Sequence, residues 1–238
     1  FGGEHLYPCL VAASPASKNA VRRWGAGTAA IARALIAAKE PLPGVALAEP
    51  VGVSQPRASQ VIRQLAEQTA VRATDDGYVG RSAKLLDLYE RRARPALVQA
   101  ESFWYSTRPL SDQAARVLRL ARVTTTDVAF SADLGPDLLV PWRHPTLAVV
   151  YASGALDLSD AGFVQAEGRP DASVIVRWTT DRTLLAPAPP WPRVVDDIPL
   201  TDPTQQWWDL IDLGGEDRRE AADRLRAAIV GHTIPGGA

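Results

Sequence analysis

The chain has 238 residues with 46% hydrophobic side chains, 26 Lys+Arg against 27 Asp+Glu, one cysteine and no methionine. That leaves room for two modest domains or one larger one with ordinary globular cores, and no apolar run reaches the roughly 18 residues of a membrane span. The lone Cys9 excludes an intramolecular disulfide and a cysteine-rich zinc site, and it fits a reducing cytoplasm as a small buried side chain.

Residues 1–26 read as an N-terminal segment without clear periodicity. Phe1–Gly2–Gly3–Glu4–His5 lacks the basic-then-apolar pattern of a secretory signal. A first residue other than Met places the expected natural start upstream. Only Lys18, Lys39 and Lys84 are lysines among the basic residues, and the abundance of Ala, Arg and Pro suggests a GC-rich bacterial genome.

Residues 27–95 carry the clearest pattern. A helix is expected from Gly27 or Thr28 to about Lys39, with Ile31, Ala34, Leu35 and Ala38 on one face. Pro41–Leu42–Pro43–Gly44 stops it. A short helix fits 44–49, and Pro50 and Gly52 mark a turn. Ser54 is an N-cap candidate for the next helix, and Pro56 is tolerated in its first turn. Ala58, Val61, Ile62 and Leu65 then form an apolar stripe, with Pro56, Ser59, Gln60 and Arg63 opposite and Arg57 on the flank. Val71–Arg72–Ala73–Thr74 and Tyr78–Val79–Gly80–Arg81 around Asp75–Asp76–Gly77 read as strand, turn, strand. A helix from Ser82 places Leu85, Leu86, Leu88 and Tyr89 inward and Arg91, Arg92 and Arg94 at its C-terminal end, where Pro95 ends or kinks it.

Residues 96–109, with Phe103–Trp104–Tyr105, read as a connector. Residues 110–235 form a second, mixed α/β unit. Ser111 is expected to cap a helix through Arg122, and 125–140 reads as another helix. Leu147–Tyr151 and Ser173–Trp178 read as buried strands, with shorter ones near 163–166 and 183–186. Pro187 to Pro192 is a stiff connector. Asp202 caps a helix that starts at Pro203 and carries Trp207 and Trp208. A last amphipathic helix spans 216–230.

The helix beginning at Ser54 has the residue types that read a major groove. Gln pairs with adenine edges, and Arg bridges the two acceptors of guanine. Ser54, Gln55, Arg57, Ser59, Gln60 and Arg63 are therefore the candidate base-reading residues. Arg72, Arg81 and Lys84 are candidates for flanking phosphates. Charge follows the same division: residues 1–105 hold 13 Lys+Arg against 9 Asp+Glu, and residues 106–238 hold 13 against 18. A single module of this kind binds weakly, so a homodimer on double-stranded DNA is expected.

Residues 27–94 resemble bacterial winged helix-turn-helix transcriptional regulators, through the helix at 28–39, the turn at Pro50–Val53, the Ser54–Gln60 helix start and the Asp75–Asp76–Gly77 wing. The second half looks like the C-terminal region of winged-helix regulators of the AbiEi antitoxin type. The stretches concerned are Val128–Asp133, Pro141–Trp142–Arg143–His144–Pro145–Thr146, and Leu200–Pro203 with its following helix. That resemblance implies an α+β protein with a degenerate nucleotidyltransferase-like second domain and a cognate toxin as partner. A ligand-binding or dimerisation domain of another kind accounts equally for the second half.

An active nucleotidyltransferase needs a Gly-Ser pair and a following Asp-x-Asp pair that holds two metals. Ser131–Ala132–Asp133 lacks the Gly, and Ser153–Gly154 precedes Asp157–Leu158–Ser159, with a Ser in place of the second carboxylate. Asp196–Asp197 are adjacent and would diverge in a strand. His5, His144 and His232 are scattered. No catalytic residue, metal or cofactor is expected. The Trp residues and Phe103 read as core or interface filler rather than base-stacking platforms. The expected function is a cytoplasmic, nucleoid-associated DNA-binding regulator, a repressor. The alternative is an antitoxin-like interaction module on a winged-helix scaffold.

Overall fold

The computed structural model describes residues 23–93, 98–142, 144–187 and 189–235. The expectations at His5, Cys9, Lys18, Arg94, Pro95, Arg143 and the Gly-rich ends lie outside those residues.

Helices α1 (Ala26–Ala37), α2 (Gly44–Ala48) and α3 (Gln55–Glu67) come first, followed by strands β1 (Val71–Thr74) and β2 (Gly77–Gly80) and helix α4 (Ser82–Arg92). α1 is buried on almost every side. It stops at Ala37 rather than Lys39 because the chain turns extended. Leu42 then pairs with Tyr78 through two 2.9 Å backbone hydrogen bonds. The β1–β2 hairpin sits tightly on this segment: a Cβ on Gly77 would lie 2.4 Å from the Leu42 carbonyl oxygen. Gly52, at φ 68, makes the turn that separates α2 from α3, a conformation glycine adopts without strain.

The remaining elements are β3 (Ala100–Tyr105), α5 (Leu110–Val123), β4 (Val128–Asp133), α6 (Leu134–Leu139), β5 (Ala148–Ala152), β6 (Val164–Gln165), β7 (Val174–Trp178), α7 (Arg182–Leu185), β8 (Val194–Val195), β9 (Ile198–Pro199), α8 (Pro203–Leu213) and α9 (Glu216–Val230). Five strands form a mixed sheet in the order β4-β5-β7-β3-β6, parallel between β5 and β7 and antiparallel elsewhere. The architecture is α+β, and no helix among the described residues is long and apolar enough to cross a membrane.

Four expectations in the second half need correction. The connector at 96–109 contains β3, an interior strand paired with β7 and β6. The helix expected over 125–140 is strand β4 followed by the short α6. Residues 129–133 are buried on both faces, so no alternation marks them as a strand. The strand expected at 183–186 is α7, a helical turn in which the Asp181 carboxylate caps Thr183 N at 3.0 Å. α5 begins at Leu110 with Pro109 in the cap position, which puts Ser111 inside the first turn.

Asp202 does cap α8, accepting from Thr204 N at 2.8 Å with Pro203 at the first helical position. Both Trp207 and Trp208 are buried. α8 and α9 pack against α4, and α9 also packs against α1, so the first four helices share a continuous apolar core with the second half.

A buried polar chain crosses the same contact. Arg33 donates to Tyr89 Oη at 2.8 Å and to Asp181 at 2.7 Å, and Tyr89 Oη donates to Gln205 Oε1 at 2.7 Å. Gln205 Nε2 in turn donates to Tyr151 Oη at 2.8 Å and to Asp209 at 3.0 Å. Asp209 pairs with Arg177, which also reaches Glu101 at 2.7 Å and Asp212 at 3.1 Å. Each buried charge has a partner of opposite sign, the condition under which a buried charge is tolerated. Burial raises the tyrosine pKa of both Tyr89 and Tyr151, so both stay neutral donors.

Candidate nucleic-acid interface

α3 is divided cleanly by burial. Ala58, Val61, Ile62 and Leu65 are at most 3% exposed, while Gln55, Pro56, Arg57, Ser59, Gln60 and Arg63 are exposed. The apolar stripe at i, i+3, i+4 and i+7 anchors the helix, each large side chain contributing roughly 1.5–3 kcal/mol on burial. What remains outward is a row of amide, hydroxyl and guanidinium groups. α2 packs on α3 and β1 follows it, which fixes the height of this row above the core.

Ser54 occupies the N-cap position, but its side chain makes no cap hydrogen bond. Its backbone carbonyl accepts from Ala58 N at 3.0 Å, so the hydroxyl is left on the exposed side of the helix start. Arg57 donates to Gln60 Oε1 at 2.7 Å and to Thr28 Oγ1 at 3.4 Å. The guanidinium is thus drawn toward α1, and the Gln60 carbonyl is engaged while its amide donors are not. Bidentate pairing of Gln60 with adenine requires that bond to open.

Lys84, on α4, reaches back to Thr69 Oγ1 in the turn after α3. Arg72 faces outward from β1 opposite Val79. Arg81 is exposed at the start of α4, with its backbone N bonded to Ala70 O at 2.8 Å. The structure therefore joins Arg57 to Gln60 directly and places Lys84 beside the end of α3. Arg72 and Arg81 sit on the hairpin and its exit, without a hydrogen bond to the α3 row. Glu67, Asp75 and Asp76 are exposed in the same region and oppose its positive charge.

Two further cations adjoin α3. Arg23 and Arg92 share with Arg57, Gln64 and Gln68 a polar hollow of about 430 Å³ along its flank. A hydrogen bond of 2.9 Å from Trp24 N to Arg92 O brings the two segments together. Sequence reasoning assigned Arg92 only to the α4 dipole and gave Arg23 no role. Nothing in the local pattern links residues so far apart; that hydrogen bond and the packing of Trp24 against Tyr89, with ring centroids 6.2 Å apart, do so.

The candidates considered for nucleotidyl transfer fall elsewhere and do not converge. Ser131 Oγ donates to Asp209, and Asp133 binds Arg218 at 2.7 Å. Asp157 accepts from Ser159 N at 2.9 Å within a turn, and this bond lowers its pKa. Asp196 and Asp197 form the tip of the β8–β9 hairpin, both at positive φ. Among the described residues no group of three or more His, Cys, Asp and Glu side chains is placed to hold a metal ion. No family model, curated protein or solved structure matches the chain.

Proposed function

We propose that the protein is a sequence-specific DNA-binding transcriptional regulator of winged-helix design, a repressor acting at the nucleoid in a bacterial cytoplasm. The observation that carries this reading is the two-sided character of α3. Its inner face is apolar and buried, and its outer face presents Gln55, Arg57, Ser59, Gln60 and Arg63. Those side chains match the donor and acceptor patterns of base edges in a major groove. Arg72, Arg81 and Lys84, joined by Arg23 and Arg92, supply cations for the phosphates on either side. Residues 27–95 form the DNA-binding unit, and residues 110–235 form a regulatory or interaction unit that resembles the AbiEi type. A homodimer on a palindromic site gives the affinity one module lacks. The reading assigns no catalytic role and no cofactor.

Selection of bound duplexes from a random pool tests it. Enrichment of a defined site supports base reading, and recovery of unenriched sequence at every salt concentration contradicts it.

One observation favours a second reading, an antitoxin-like contact with a protein. Val164 on the edge strand β6 is 69% exposed and pairs with Tyr105, itself 47% exposed. Capture of a cognate toxin in the absence of DNA, lost on Val164→Lys, is the result this reading requires.

A further inference from the structure

A cleft of about 760 Å³ opens between α1–α2 on one side and the segment from α7 to Asp202 on the other. Its volume lies within the roughly 300–1,000 Å³ of small-molecule sites. We propose that this cleft binds a small organic acid with an apolar body, its acid group at the mouth and a hydroxyl or N–H at its inner end. Three observations define that ligand.

The walls are apolar. Ala30, Ala34, Leu42 and Val51 face Ala186 and Pro189 across the cleft. Such walls reward an aliphatic or aromatic body by the area it removes from water.

The mouth is cationic. Lys39, Arg182 and Arg193 line it and are exposed, against the single acid Glu40. Arg33, deeper in, is already balanced by its ion pair with Asp181. The free balance at the mouth is positive, which complements a carboxylate or sulfonate.

The inner end holds a carboxyl group with spare capacity. Asp202 lines the cleft yet is 1% exposed. Its Oδ1 accepts from Thr204 N at 2.8 Å, and donors from that one residue leave lone pairs of the carboxyl group open. The neighbouring Arg33 directs Nη1 to Tyr89 and Nη2 to Asp181 and Thr183. A ligand hydroxyl or N–H at the inner end adds a donor to this carboxyl group, which favours it over a ligand without one.

The experiment uses the full chain without DNA, so its outcome is independent of the DNA-binding reading. 8-Anilinonaphthalene-1-sulfonate is titrated by fluorescence, with N-phenyl-1-naphthylamine as the neutral comparator. One saturable sulfonate site is expected. Arg182→Glu, a surface change that spares the core, weakens the sulfonate by about tenfold and leaves the neutral probe within about twofold. Ala34→Trp fills the cleft and removes both probes, with circular dichroism confirming the fold. 10-Hydroxydecanoate displaces the sulfonate at lower concentration than decanoate, which lacks the inner donor. Absence of saturable binding, sulfonate binding that survives both substitutions, or equal displacement by the two acids overturns the proposal.

Discussion

Arg33 on α1 and Asp181 at the start of α7 form a 2.7 Å ion pair across 148 residues of sequence, with side chains only 2% and 4% exposed. The pair ties the first helix to the mixed-sheet half of the molecule. Tyr89 and Gln205 extend it into α4 and α8. Removing one partner leaves the other charge buried and uncompensated. Arg33→Ala should therefore cost about 3–5 kcal/mol in urea unfolding. Arg33→Met combined with Asp181→Asn should recover much of that loss, because neither member of the pair is then left charged without the other and the Asn oxygen still caps Thr183 N. A double variant as unstable as the single one contradicts this account.

Asp202 gives a pH dependence of definite sign. Burial raises its pKa above the ordinary carboxylate value, with Arg33 opposing the rise and Asp181 adding to it. A carboxyl group whose folded pKa is raised stabilises the fold fully below its unfolded pKa. That contribution is lost as pH rises through the folded value. Asp202→Asn keeps an oxygen for Thr204 N and removes the titration. Over the range above about pH 4, the variant should gain stability relative to the parent as pH rises, measured by denaturant midpoints at each pH. A difference that stays constant or falls over that range is the contrary result.

The hairpin rests on Gly77, which has φ 138 and lies against the Leu42 carbonyl. Gly77→Ala meets both a backbone conformation that disfavours a side chain and a 2.4 Å contact with backbone oxygen. It should cost about 1–3 kcal/mol in thermal or denaturant unfolding. Gly52→Ala serves as the comparison: its φ is 68, but nothing lies within 4 Å of the added Cβ, so only the backbone cost applies.

These elements differ in how legible they were. The β1–β2 hairpin and the burial of the α3 stripe follow from short-range pattern: Asp75–Asp76–Gly77 supplies a turn, and Ala58, Val61, Ile62 and Leu65 repeat at helical spacing. β4 was misread because both its faces are buried, which erases the alternation that distinguishes a strand. β3 was hidden for a different reason. Its partners β6 and β7 come only after α5, β4, α6 and β5, and nothing near Ala100 announces them. Arg33 lies within the Ala-rich α1, and nothing adjacent to it in sequence marks its role. Its role depends on Tyr89, Asp181 and Thr183, which only the fold brings to it. The candidate reading face was legible as a list of residues, but the Arg57–Gln60 bond and the approach of Arg23 and Arg92 to α3 were not.

Within the proposed interface the residues should separate by kind. Arg63→Ala or Gln60→Ala should cost about 1–3 kcal/mol on the selected site and relax base preference there. Arg57→Ala also frees the Gln60 carbonyl, so it should shift preference at the base Gln60 meets. Arg81→Ala or Arg72→Ala should weaken all sequences alike.

The central claim, that α3 reads bases while the flanking cations hold phosphates, is tested most directly by one measurement. Equilibrium binding to the selected duplex and to a scrambled duplex is followed across a salt series for the parent, Arg63→Ala and Arg81→Ala, with the fold checked in each. The account predicts that Arg63→Ala collapses the ratio between the two duplexes, and that Arg81→Ala preserves the ratio while lowering the salt slope by about one. Unchanged discrimination and an unchanged slope in both folded variants would contradict it.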